Sequence, residues 1–125
     1  MDMIKGTTFG AFACRGSLNK EETRLSLRNA IERTCIDTIL LVPNALQETA
    51  QSEEIDFTSK ATVSDRELTD FIQYAKSLGL RVFLKPTVNC KSGTWRAHIN
   101  FFDYDVHCEP KWSSWFRSYT DYQLH

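Results

Sequence analysis

Residues 63–86, VSDRELTDFIQYAKSLGLRVFLKP, hold a complete helix-to-strand passage, and their reading decides the fold. Ser64 followed three residues later by Glu67 is a capping box, and Val63 and Leu68 occupy the two hydrophobic-staple positions. Leu68, Phe71, Ile72, Ala75 and Leu78 recur at i, i+3, i+4 and i+7, which lays one apolar stripe along a helix. Gly79 tolerates the left-handed conformation that ends a helix, and Leu80 can fold back over the last turn. Arg81 to Lys85 follows at once as a strand, closed by Pro86. A helix, a short link and a strand make half of a parallel α/β repeat.

The same order recurs on either side. Upstream, a strand is expected from Met3 to Phe9 and a helix from Asn19. Asn19 serves there as N-cap, and Glu22 completes a capping-box-like start. Leu27, Ala30, Ile31 and Thr34 share one face of that helix. Thr38 to Val42 is an unbroken apolar run, as suits a parallel strand covered on both faces. Downstream, a helix is expected to open at Glu109-Pro110 with proline in its first position. Trp112, Trp115, Phe116 and Tyr119 recur on it at helical spacing, which assigns them to a face packed on the sheet. The expected fold class is α/β, with three parallel strands in the order 1-2-3 and helices over one face.

Link lengths locate the site. Helix-to-strand links are short, whereas strand-to-helix links run to roughly 10 residues once and about 20 residues twice, well beyond the usual 4–6. Loops at the carboxyl ends of parallel strands build the sites of such folds, so segments 10–18, 43–62 and 86–108 are the candidates. A closed (β/α)8 barrel needs about 250 residues, and this chain has 125. A fragment of a larger fold, three βα units long, is therefore expected. Two sheet edges would then lack partners, which makes self-association an expected property.

Composition narrows the partners. With 15 basic and 16 acidic side chains the net charge is -1, which gives no electrostatic reason to expect nucleic acid or an anionic membrane. No apolar run reaches the roughly 20 residues of a membrane span. The start, Met1-Asp2-Met3-Ile4-Lys5-Gly6, lacks the order of a secretion signal, so a cytoplasmic location is expected unless a leader has been removed. Cys14, Cys35, Cys90 and Cys108 form no C-x-x-C pair, and the spacing of His98, His107 and Cys108 is not one that zinc favours. No metal is expected. Gly10 and Gly16 bracket the first loop without the G-x-G-x-x-G of a dinucleotide fold.

The stretch Arg81-Val82-Phe83-Leu84-Lys85-Pro86-Thr87-Val88-Asn89, followed by Gly93-Thr94-Trp95-Arg96, resembles the third strand and loop of glycoside hydrolase family 113. Lys5-Gly6-Thr7-Thr8-Phe9-Gly10 resembles the first strand of that family, and Thr38-Ile39-Leu40-Leu41-Val42-Pro43-Asn44 its second. The family contains β-mannanases on (β/α)8 barrels, so the resemblance implies that residues 1–125 are the amino-terminal portion of such a barrel, a partial TIM barrel of three βα units. The resemblance implies retaining hydrolysis of a β-1,4-linked polysaccharide, mannan or xylan, with no cofactor. It also implies an acid/base glutamate after strand 4 and a nucleophile after strand 7, and this chain has no such strands. No catalytic residue is therefore assigned, and the chain alone is expected to be inactive. Glu48, Glu53, Glu54, Asp103, Asp105 and Glu109 lie in the right loops, but none directly follows a strand end, and they are taken as solvated.

Five residues are candidates for binding a β-linked oligo- or polysaccharide. Trp95 can offer a flat face to the C–H face of a sugar, or anchor its own loop. Arg96 can donate to sugar hydroxyls or pair with an acid such as Asp103. Lys85 can point into the top of the barrel toward a hydroxyl or carboxylate, or extend to solvent. Asn44 and Asn89 can both donate to and accept from hydroxyls, or form turns. Phe9, Phe101, Phe102 and Tyr104 are expected to be core or loop anchors. The competing expectation is a stand-alone, non-enzymatic α/β protein that self-associates or binds sugar weakly.

Overall fold

The computed structural model describes residues 3–125. In chain order the elements are β1 (Gly6–Phe9), α1 (Glu21–Thr34), β2 (Thr38–Leu41), β3 (Asn44–Gln47), α2 (Asp65–Ser77), β4 (Arg81–Leu84), β5 (Thr87–Cys90), a 3-10 turn (Arg96–His98) and α3 (Cys108–Leu124). They fall into two compact units. The first comprises the chain up to Asn44 together with Lys60–Pro86, and the second Ala45–Ser59 together with Thr87–His125. Among the described residues no helix is long and apolar enough to cross a membrane.

In the first unit β1, β2 and β4 form a parallel sheet in that order. Thr7, Ile39 and Val82 lie in one row across it, and Phe9, Leu41 and Leu84 in another. Ile39 and Leu41 are buried with Leu18, Leu27, Val63, Phe71, Ala75 and Leu80, and Phe9 and Val82 pack on the same core. The alternation of a strand sends these residues to the helix-covered side. Thr8, Leu40 and Phe83 form the row on the opposite side. Each strand is a little shorter than its apolar run suggests. Gly6, not Met3, opens β1, and β2 and β4 end at Leu41 and Leu84.

Helix α2 follows its local signals closely. Ser64 Oγ accepts from the Glu67 amide at 3.3 Å, and the Ser64 amide donates to the Glu67 carboxylate at 3.4 Å, so the capping box is complete. At the far end the Leu80 amide reaches Ala75 O and the Gly79 amide reaches Lys76 O, with Gly79 at φ +83°. This pair of bonds is a Schellman stop. Helix α1 departs from expectation. Its N-cap is Lys20, with no side-chain cap, so Asn19 does not cap the helix. Instead Thr23 Oγ1 turns back to Ser17 O at 2.7 Å and ties the helix to the preceding loop.

A small polar network closes the amino ends of the strands. Asp37 Oδ1 accepts from the Lys5 amide at 3.1 Å, Thr38 Oγ1 at 2.6 Å and Arg81 Nη2 at 3.0 Å. The Thr38 hydroxyl above all, helped by Arg81 and the Lys5 amide, holds the Asp37 carboxyl below its ordinary value. A carboxylate lowered in the folded state contributes stability that is present above the unfolded value near 4 and is lost as pH falls through the folded value. The Asp37→Asn variant is expected to melt lower than the parent at neutral pH and to show a shallower loss below about pH 4. Thermal melts across the acid range check both.

In the second unit β3 and β5 are hydrogen-bonded neighbours. Ala45, Ile55, Val88 and Tyr122 make its core, with Phe57, Ile99, Trp115 and Tyr119 packed against it. Gln47 is only 1% exposed, yet both ends of its amide are satisfied. Its Nε2 donates to Thr49 O at 2.7 Å and, more weakly, to Ser52 O at 3.4 Å, while Oε1 accepts from Trp115 Nε1 at 2.8 Å. Burial pushes the Tyr122 hydroxyl up to about 12.

The second unit corrects several expectations. Segments 43–62 and 86–108 are not wholly loop, because β3 and β5 resume two residues after β2 and β4 end. Helix α3 begins at Cys108, so Pro110 is its third residue rather than its first. Proline is tolerated there because first-turn amides lack helical partners. Asp105 replaces a side-chain cap: its carboxylate accepts the His107 amide and pairs with Lys111. That pairing comes first in holding Asp105 low and Lys111 high. On α3, Trp115 and Tyr119 pack inward as expected, but Phe116 is 56% exposed. Phe101 is buried, and Phe9 stacks on Phe71 at 5.7 Å. Phe102 and Tyr104 instead stack on each other at 5.2 Å and stay exposed, so neither anchors its loop to a core.

Candidate functional site

Binding groups at the carboxyl ends of parallel strands combine a rigid base with freedom in the loops above. In the first unit Lys85 stands one residue past β4, its amide donating to Leu41 O at 2.8 Å. By alternation it shares a face with Arg81 and Phe83, away from the helix-covered side where Val82 packs. Its side chain is exposed and, among the described residues, forms no salt bridge. Asn44 opens β3 and is 7% exposed. Asn89 is the third residue of β5 and half-buried. Both asparagines stand in strands, so neither forms the turn that its residue type suggests.

Trp95 and Arg96 are adjacent in the second unit, on a segment with defined bonds. Beyond β5 the Lys91 amide reaches Gln47 O at 2.8 Å and the Ser92 amide Glu48 O at 3.1 Å. Gly93, at φ +80°, turns the chain, and its amide returns to Cys90 O. The 3-10 turn then opens with the His98 amide on Trp95 O at 2.9 Å. The Trp95 ring is 68% exposed and touches the edge of His98 with centroids 6.0 Å apart. It is not packed down as an anchor. Arg96 is half-buried and, among the described residues, makes no salt bridge, so it is not paired with Asp103.

The loop acids divide between paired and free. Glu48 pairs with Lys91 at 3.2 Å, and Asp105 with Lys111. A depression of about 870 Å³ between segment 46–56 and α3 holds Glu48, Glu53, Glu54, Asp56, Lys91 and Arg117, and none of the five candidate residues lines it. The Thr58 amide and hydroxyl and the Ser59 amide hold Asp56 low there. Among the described residues no group of three or more His, Cys, Asp or Glu could hold a metal ion, and the four cysteines are free.

One feature of segment 10–18 was not legible in the sequence. The buried carboxylate of Glu67, 2% exposed, accepts the Gly16 amide at 2.9 Å and the Leu18 amide at 2.6 Å besides closing its own cap. One helix-cap residue thereby fixes the first strand-to-helix loop. The capping box announced Glu67, but no local signal announces partners 49 and 51 residues away.

Residues 7–125 match the model of Glycoside Hydrolase Family 113. A solved β-1,4-mannanase of family 113 is 53% identical, with a TM-score of 0.91 over 98% of this chain, and a structure of a complex of a β-1,4-mannanase of this family gives the same values. The β-mannanase AaManA from Alicyclobacillus acidocaldarius, in complex with ManMIm, is 36% identical with a TM-score of 0.85 over 97% of this chain. The chain spans 40%, 40% and 38% of the length of these structures. No curated protein matches it. Its parallel strands and their helices are a partial (β/α)8 barrel, and the chain belongs to glycoside hydrolase family 113.

Proposed function

We propose that this chain contributes to the saccharide cleft of a β-1,4-mannanase and, as 125 residues, binds β-1,4-linked mannan oligosaccharide without cleaving it. The observation that carries the reading is Trp95, 68% exposed on a bonded turn beside Arg96, which among the described residues makes no salt bridge. An exposed indole next to a guanidinium suits a ligand with one apolar and one hydroxyl-bearing face. Asn89 adds an amide donor and acceptor in the same unit, and in the first unit Lys85 presents an exposed ammonium just past β4. Mannan is proposed over xylan because the similar structures are mannanases.

Lack of cleavage follows from the carboxylates. Retention needs two of them about 5–5.5 Å apart, and the resemblance draws both from barrel strands other than the parallel β1, β2 and β4. The loop acids Glu48 and Asp105 are engaged by lysines. Calorimetric titration with mannohexaose is expected to give saturable binding, weakened at least about tenfold by Trp95→Ala. Xylohexaose should bind more weakly, and no shorter sugars should form. Release of mannose oligomers by the purified chain would refute the second half of the proposal.

A non-enzymatic, self-associating protein is the second reading. Phe83 and Leu84, 48% and 50% exposed on an edge strand, favour it. Light scattering on the same sample decides between them: a dimer or larger species without mannohexaose binding supports the second reading.

A further inference from the structure

We propose that Phe12 is an additional saccharide-stacking residue, a platform built into the loop after β1; the inference rests on the mannan-binding reading above. Phe12 is 69% exposed and sits at φ +64°. Among the described residues only Cys35 shares a positive φ without being glycine, and Cys35 ends α1, where that conformation is the ordinary stop. Phe12 ends no helix. A phenylalanine there carries the steric cost of a left-handed backbone and also leaves a large apolar ring in water. Glycine would make the same turn without either cost.

The loop around it is fixed. The Ala13 amide reaches Gly10 O at 3.1 Å, the Cys14 amide Ser17 Oγ at 3.0 Å and the Arg15 amide Lys60 O at 3.0 Å, and Glu67 holds the Gly16 and Leu18 amides. Ala13 and Leu18 turn into the core. Phe12 alone of this loop's large apolar side chains turns out, so the strained backbone has one visible result: it holds a flat apolar face in solvent. It does so just past the carboxyl end of a parallel strand, where barrels of this kind build their sites. A ring with no polar handle takes the C–H face of a pyranose and leaves the hydroxyls to other groups.

The experiment compares the 125-residue chain with Phe12→Gly, Phe12→Tyr and Trp95→Ala by mannohexaose calorimetry and thermal melting. Phe12→Gly is expected to bind about tenfold more weakly while melting about 3–5 °C higher, because the strain is released. Phe12→Tyr should bind like the parent. Unchanged affinity in Phe12→Gly, with Trp95→Ala weakened, overturns this inference and leaves the mannan-binding reading intact. A lower melting temperature in Phe12→Gly would overturn it too, since the ring would then serve folding. Absence of binding by the parent chain overturns both.

Discussion

Glu67→Ala is expected to destabilise the first unit by about 3 kcal/mol or more, a large share of the 5–15 kcal/mol typical of a domain. Its carboxylate accepts from the amides of Gly16, Leu18 and Ser64. Each amide left unpaired in a buried site costs roughly 1–3 kcal/mol, and water can reach only part of the space vacated. Alanine is an excellent helix former, so helix propensity does not account for the loss. Glu67→Gln should fall between the two, because it keeps one acceptor but turns an NH2 toward a donor. Urea melts give the magnitude. Limited trypsin digestion gives the place, with faster cleavage after Arg15 in both variants than in the parent. Equal cleavage rates would mean that the loop holds itself without the clamp.

A change of one atom in the second unit should be comparably severe. Gln47→Glu replaces the Nε2 donor by an oxygen facing Thr49 O at 2.7 Å and Ser52 O at 3.4 Å. An ionised carboxylate would be buried against two carbonyls, whereas a protonated one restores a donor. The introduced group should thus have a raised value in the folded state. Its penalty is small below the unfolded value near 4 and grows as pH rises through the folded value, reaching about 3 kcal/mol or more at pH 7. The variant should therefore melt closest to the parent near pH 4 and furthest from it at neutral pH. Asp37→Asn also stands furthest from its parent at neutral pH, but there the parent loses the Asp37 contribution in acid, whereas here the variant's own penalty fades.

These residues also mark how far the sequence could be read. Helix α2 was legible almost to the atom because its determinants are local: Ser64 with Glu67, the apolar stripe, and Gly79 with Leu80. The parallel order of β1, β2 and β4 followed from apolar runs joined by short links. Strands β3 and β5 escaped because Asn44-Ala45-Leu46-Gln47 shows neither an apolar run nor alternation, Thr87-Val88-Asn89-Cys90 alternates over only four residues, and Pro43 and Pro86 read as terminators. The α1 cap failed because the N-cap falls one residue later, at Lys20, with Thr23 Oγ1 bonded back to Ser17 O. For the candidate site, residue type nominated Trp95 and Arg96, and the structure shows Trp95 exposed and Arg96, among the described residues, in no salt bridge. Phe12 stayed hidden because exposure and a left-handed backbone are decided by the whole loop.

The two units interleave along the chain, which crosses between them after Asn44, Ser59 and Pro86. On the ribosome that order sets a schedule. Every strand and helix of the first unit has been synthesised once Pro86 is added, while α3 and β5 do not yet exist. At about 5–20 residues per second, residues 87–125 take another 2–8 seconds or so to make. For most of that interval segment 45–59 is a tethered insertion whose partner Tyr122 has still to be translated. Nascent chains should thus acquire the first unit's fold before the second has a core, and a synonymous codon change that slows translation after Pro86 should lengthen the exposure of Ile55 and Phe57 rather than disturb the sheet.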